Sequence, residues 1–162
     1  MSRDEPAPAR IVERRPEIPE GLATLKSPLL QRLYAGRGVR HAEELEYTLA
    51  GLPHFRELRG IDAACALLED AIDAAHRILV VGDFDADGAT STALVCDALH
   101  AMGAARVDHF VPHRARHGYG LSPAVVEAVG KGAPGDVIVT VDNGIASIAG
   151  VEAAHSAGWR VL

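Results

Sequence analysis

No apolar run in this 162-residue chain approaches the length of a membrane span, so no membrane association is expected. Its opening, MSRDEPAPARIVERRPEIPEG, is charged and proline-rich and lacks the apolar centre of a secretory signal. Residues 1–20 are therefore expected to form a disordered arm, and the protein to be intracellular and cytoplasmic. Cysteine is scarce: Cys65 and Cys96 are the only two. That excludes a disulfide scaffold and predicts two buried thiols in a reducing compartment. A basic surplus is missing as well. The formal charge is −6, so no net cationic footprint announces nucleic acid, although an acidic catalytic centre would enter the same sum. No long low-complexity tract occurs, and 48% of the residues are apolar, enough for one globular domain with a core.

The first part of the chain has helical spacing. SPLLQRLYAGRGV places Ser27 as a cap and Pro28 at the first helical position, with Gly36 or Gly38 as the stop. RHAEELEYTLAGL predicts a second helix, with Ala42, Leu45 and Leu49 on one face and Gly51 at its end. GIDAACALLEDAIDAAHR predicts a third, whose stripe is Ile61, Cys65, Leu68, Ile72 and Ala75. Residues 21–77 thus form a helical lead with no catalytic spacing in it.

From residue 78 the pattern alternates. ILVVG, ARVDHFVP, DVIVTV and WRVL have the character of strands, with Val107, His109 and Val111 sharing a face in the second. ATSTALVCDALHAM, LSPAVVEAVGK and IASIAGVEAAHSAG between them have that of helices, the first stopped by Gly103. Strands alternating with helices imply right-handed crossovers. The expected fold is α/β: a parallel sheet of at least four strands with flanking helices, preceded by the helical lead. The chain finishes inside an apolar strand, as expected of the N-terminal piece of a longer protein.

Open parallel sheets collect ligands at the carboxyl ends of their strands. Two acidic clusters fall there: Asp83-Phe84-Asp85-Ala86-Asp87-Gly88 after the first strand and Asp142-Asn143-Gly144 after the third. In extended geometry the three alternate aspartates would share a face and repel one another. Divalent cations held among carboxylates would offset that repulsion, and hard oxygen ligands suit Mg²⁺ or Mn²⁺. DFDADG opens like an EF-hand loop, but Leu94 stands where a bidentate glutamate belongs. A dinucleotide fold would need G-x-G-x-x-G after the first strand, which is absent. A helix-capping acidic turn accounts for one aspartate, Asp87. It does not account for four acids on two strands.

These residues resemble a known family. VVGDFDADGATSTAL is similar to the first motif of the DHH phosphoesterase superfamily, and IVTVDNGIAS to its second. RHGYGLSPAVVEAV, LLQRLYAGRGV and AEELE resemble its single-strand-specific DNA exonuclease branch. Related pyrophosphatases commonly carry a histidine just before the first motif, where this chain has VVGD.

The resemblance implies that residues 78–162 are the N-terminal part of the catalytic domain, and that a further Asp-His-His motif, another metal-binding aspartate and a DNA-gripping domain follow Leu162. It implies Asp85 and Asp87 as metal ligands and catalytic residues, Asp142 as the bridge between two Mn²⁺ or Mg²⁺ ions, and Asp83 as a further ligand. Asn143 and Gly144 are expected to shape the turn. The implied activity is hydrolysis of single-stranded DNA from the 5′ end by metal-activated water in repair and recombination, with a single-strand-binding protein and a helicase as partners. With its ligand set incomplete, the chain alone is expected to bind metal weakly and to have little nuclease activity. Two other readings stand beside this one. One is a DHH-type phosphoesterase for short oligonucleotides or small phosphates; the other is a non-catalytic cation-binding module.

HFVPHRARHGYG spaces His109, His113 and His117 four apart, but Pro112, Gly118 and Gly120 argue against a helical histidine site. A flexible loop is expected instead, setting Arg114, Arg116, His117 and Tyr119 near the metal edge for substrate. There arginine would pair with phosphate and tyrosine would stack on a base.

Overall fold

The computed structural model describes residues 16–162, so most of the expected N-terminal arm lies outside the described residues. The chain divides into two compact units, one ending at His54 and one running from Phe55 to Leu162. In the first, a 3₁₀ turn at Glu20–Leu22 precedes helix α1, Pro28–Gly36, whose cap is Ser27: its hydroxyl accepts the Leu30 N–H. The predicted second helix is not formed. Two short 3₁₀ turns, Ala42–Leu45 and Leu49–Gly51, take its place. The Glu44 carboxylate accepts the N–H groups of both Arg40 and His41 at 2.9 Å, which closes a tight turn and holds its carboxyl below the usual range. Neither turn contains a buried residue. Short helices need an apolar face to pack, and without one the turns do not propagate.

The second unit contains α2 (Ile61–Asp73), β1 (Ile78–Val81), α3 (Ala86–Ala101), β2 (Val107–Phe110), the single turn α4 (Arg114–His117), α5 (Pro123–Val129), β3 (Val137–Thr140), α6 (Ile148–Ser156) and β4 (Arg160–Val161). All strand pairs are parallel and the order is β2-β1-β3-β4. This is the expected α/β architecture. β1 is buried throughout, and β3 over all but its last residue. Continuous Val/Ile/Leu runs suit strands covered on both faces. Alternate side chains fill two cores. Leu79, Val81 and Ile138 pack with Val125 and Val126 of α5 and Ala154 of α6. Ile78, Val80, Val137 and Val139 pack with Ala71 of α2 and Leu99 of α3.

Helix α2 therefore covers the sheet, and Arg160 of β4 pairs with its Asp70 at 2.7 Å. Its inward face differs from the expected stripe. Leu67, Leu68, Ala71 and Ile72 pack against the core, Cys65 is exposed, and Ala75 lies beyond the helix with φ 53°. Both cysteines are free thiols, and only Cys96 is partly buried, where desolvation raises its pKa. The predicted buried thiol at position 65 is thus corrected: Cys65 lies one turn before Leu68 and is exposed, while the packed residues of the helix are Leu67, Leu68, Ala71 and Ile72.

Two further corrections concern the site. Helix α3 begins at Ala86 rather than Ala89, with Asp85 as its cap. The three aspartates therefore do not continue an extended strand. The loop after β2 is not wholly irregular either. His113 donates its backbone N–H to His117 Nδ1 at 2.9 Å and closes one helical turn, which Gly118 ends at φ 78°. Reversal of strand order between β1 and β3, with β2 outside β1, opens a crevice at the carboxyl ends of those two central strands.

Candidate metal centre

Asp83 follows β1 and Asp142 follows β3, so the switch point brings them together. One carboxylate oxygen from each of Asp83, Asp85 and Asp142 lies within 4.8 Å of the others. Helix α3 accommodates part of the charge. Asp85 accepts the Gly88 N–H at 3.0 Å, and Asp87 sits in the first turn, where the helix dipole favours an anion.

Asp83 has no such relief. The residue is 3% exposed, and among the described residues its Oδ1 has no hydrogen-bond partner. Asp136, 4% exposed at the opposite end of the sheet, shows the ordinary solution: its two oxygens accept the N–H groups of Arg77 and Ala133 at 2.9 and 3.0 Å. A buried carboxylate oxygen without a donor is costly unless a cation meets it. The donor set is all hard oxygen, which fits Mn²⁺ or Mg²⁺. Asp142 reports the same electrostatic load. Desolvation, then the charges of Asp85, Asp87 and Asp83, and a hydrogen bond with Asp85 raise its pKa.

The backbone at Asp142 is left-handed, φ 58°, a conformation costing a non-glycine residue about 1–2 kcal/mol. Tyr119 Oη donates to the Asp142 carbonyl at 2.9 Å. The Asn143 amide donates to the carbonyls of Val81 at 3.0 Å and Val141 at 2.8 Å, and accepts the Leu121 N–H at 3.1 Å. The Arg114 guanidinium lies 5.0 Å from the centre of the Phe84 ring, a cation–π contact.

Residues 77–162 match the DHH family, N-terminal domain. The chain belongs to the DHH family. A relative, the single-stranded-DNA-specific exonuclease RecJ of Dickeya dadantii, is 52% identical over 152 residues, covering 93% of this chain and 26% of that protein. The RecJ of Escherichia coli is 51% identical over 152 residues, covering 92% of this chain and 26% of its own. A crystal structure of exonuclease RecJ bound to manganese superposes with a TM-score of 0.57 at 39% identity, covering 68% of this chain and 27% of that one. The chain spans about a quarter of the length of these relatives.

In this DHH chain the residues singled out from the sequence are not equivalent. Asp85 and Asp142 converge, and so does Asp83, which its burial makes the most constrained of the three. Asp87 lies outside that group, although its charge reaches Asp142. Tyr119 bonds the Asp142 carbonyl, and Arg114 stacks on Phe84, the residue between Asp83 and Asp85. Arg116 is exposed. His117 turns toward its own loop, capping α4 and packing its ring 5.3 Å from Phe110. His109, His113 and His117 form no metal-ligating group among the described residues. The sequence motif drew attention to the aspartates and left two features out: the Phe84–Arg114 stack, and the reach of Asn143 beyond its own turn. Neither has a local sequence signal, because both partners meet only in the folded chain.

Proposed function

We propose that this chain forms the N-terminal share of the catalytic domain of a metal-dependent exonuclease, which hydrolyses phosphodiesters of single-stranded DNA from the 5′ end. The observation that carries the proposal is the clustering of Asp85 and Asp142 with the buried carboxylate of Asp83, whose Oδ1 has no partner among the described residues. Those three side chains would hold Mn²⁺ or Mg²⁺, with Asp87 adding charge from the first turn of α3. Such an ion supplies Lewis acidity for activating water and stabilising charge at phosphorus at neutral pH.

The chain's own residues do the rest. Asp83, shielded from solvent, offers an acceptor that no donor among the described residues competes for. Tyr119 stays a hydrogen-bond donor, because desolvation and then the charges of Asp83, Asp142 and Asp85 raise its pKa. Arg114, held over Phe84, and the exposed Arg116 supply cationic groups for a DNA phosphate in a chain of net negative charge. The exposed ring of Tyr119 offers a stacking face. Three clustered carboxylates are short of the shells of two six-coordinate ions, so full activity draws on ligands beyond these. A cytoplasmic setting, and work alongside a single-strand-binding protein and a helicase, belong to the same proposal and rest on the family resemblance.

The test uses the intact protein and single-stranded oligonucleotides labelled at either end, with Mn²⁺. Asp85→Asn and Asp142→Asn should each reduce digestion by more than the roughly 10–100-fold typical of an outer-sphere partner. Undiminished digestion by Asp142→Asn, or digestion that begins at the 3′ end, would sink the proposal.

A further inference from the structure

We infer that Asn143 is a positioning residue: its side chain locks the end of β3 to the end of β1 and so fixes the carboxylate of Asp142 against Asp83. The inference rests on the metal-centre reading above and adds a residue that does not itself touch the ion.

An asparagine that only shaped its own turn would bond locally. Asn143 does so once, to Val141 at 2.8 Å. Its other two bonds leave the turn. Nδ2 donates to Val81, the last residue of β1, at 3.0 Å, and Oδ1 accepts from Leu121 at 3.1 Å. One amide thus spends both donor hydrogens and its oxygen on three separate backbone segments. Val81 lies two residues before Asp83, and Val141 directly precedes Asp142, so the tie spans the two chains that deliver the acids.

The neighbouring segment closes on it. A Cβ at Gly120, whose φ is +61°, would stand only 3.0–3.3 Å from Asn143 side-chain atoms, so the Gly120 end of the Gly-Tyr-Gly run lies flush against the amide. From that run Tyr119 reaches the Asp142 carbonyl at 2.9 Å. The left-handed backbone of Asp142, φ 58°, is therefore clasped from both sides. No other side chain can donate twice and accept once in this shape. Aspartate keeps the acceptor but sets a negative oxygen against two carbonyls.

The experiment compares the 162-residue chain with its Asn143→Asp, Asn143→Ser and Tyr119→Phe variants. Mn²⁺ binding is read from loss of the free-ion electron paramagnetic resonance signal. The Asp142 backbone is read, without metal, from its ¹³Cα and ¹³Cβ chemical shifts. A positioning role predicts about tenfold or greater loss of Mn²⁺ affinity in Asn143→Asp and Asn143→Ser, with Asp142 shifts leaving the left-handed range. Tyr119→Phe should lose a few-fold in affinity with unchanged melting temperature.

Asn143→Asp separates position from charge, because an added carboxylate beside a cation tightens binding if only Coulomb attraction matters. Unchanged or tighter binding together with unchanged Asp142 shifts would overturn the inference. Should both Asn143 variants fail to fold, the wild-type chain decides. Slow hydrogen exchange of the Asn143 side-chain NH₂ supports the tie, and exchange at the solvent rate overturns it. Asp142→Asn is the control for the underlying reading. If it binds Mn²⁺ as well as wild type, the metal centre fails while the Asp142 shifts still judge the tie. If it abolishes binding and the Asn143 variants do not weaken it, the tie alone fails.

Discussion

A carboxylate that is 3% exposed and half-unpartnered, as Asp83 is, weakens the metal-free fold and strengthens the metal-bound one. Asp83→Asn removes the buried charge without changing the shape. It should stabilise the metal-free chain by about 1–3 kcal/mol and abolish the rise in melting temperature that Mn²⁺ gives the wild type. Thermal melts with and without Mn²⁺ check both halves. Asp142 makes a pH prediction with a definite sign. Its folded pKa is raised by desolvation and by Asp85, Asp87 and Asp83, so the folded chain binds more protons than the unfolded one between the ordinary and the raised value. The contribution of Asp142 to metal-free stability should therefore be fully present below the ordinary carboxylate pKa and be lost as pH rises through the raised one. Asp142→Asn should flatten that decline in melts recorded across the acidic range. Of the residue-level chemistry, the identity of the acids was legible in the motif. Their ranking was not: burial made Asp83 the most constrained, and burial is set by helices packed from elsewhere in the chain.

At the scale of elements, the turn from β1 into α3 does the positioning. Asp85 caps the helix and Gly88 lets it approach. A Cβ at Gly88 would meet the Asp83 backbone at 2.5–2.6 Å. Alanine in a helix ordinarily gains about 1 kcal/mol over glycine, but here overpacking decides the sign. Gly88→Ala should destabilise the chain by about 1–3 kcal/mol and, by displacing Asp83, weaken Mn²⁺ binding; denaturant melts and a Mn²⁺ titration test the two effects. Strand and helix order from β1 onward followed from apolar periodicity, and the Ser-Pro start of α1 formed its cap as expected, with Ser27 accepting the Leu30 N–H; at α5 Ser122 accepts the Val125 N–H in the same way. The helix expected across residues 40–52 did not form, because its spacing met no surface to bury against. The turn α4 escaped notice for the converse reason: a histidine side chain, not apolar periodicity, closes it.

For the molecule as a whole, every group placed in the site comes from the unit Phe55–Leu162. That unit also holds both apolar cores of the sheet, including α2. Produced alone, Phe55–Leu162 should unfold cooperatively and bind Mn²⁺ with the affinity of the 162-residue chain, within about threefold, a difference below 1 kcal/mol. Calorimetry and the same Mn²⁺ titration read the result. Loss of cooperative unfolding would show that residues before Phe55 complete the core.

The sequence by itself determined that strands and helices alternate, that acids stand at two strand ends, and to which family the motifs belong. Each of those depends on neighbours within a few residues, where periodicity, capping and motif spacing act. Only the tertiary structure decided that the order β2-β1-β3-β4 sets those two strand ends side by side. It alone left the Asp83 Oδ1 without a donor among the described residues and gave Asn143 its bonds to Val81 and Leu121. The physical reason is common to all three. Strand order and burial arise from packing many distant side chains at once, and no local stretch of the chain contains that information.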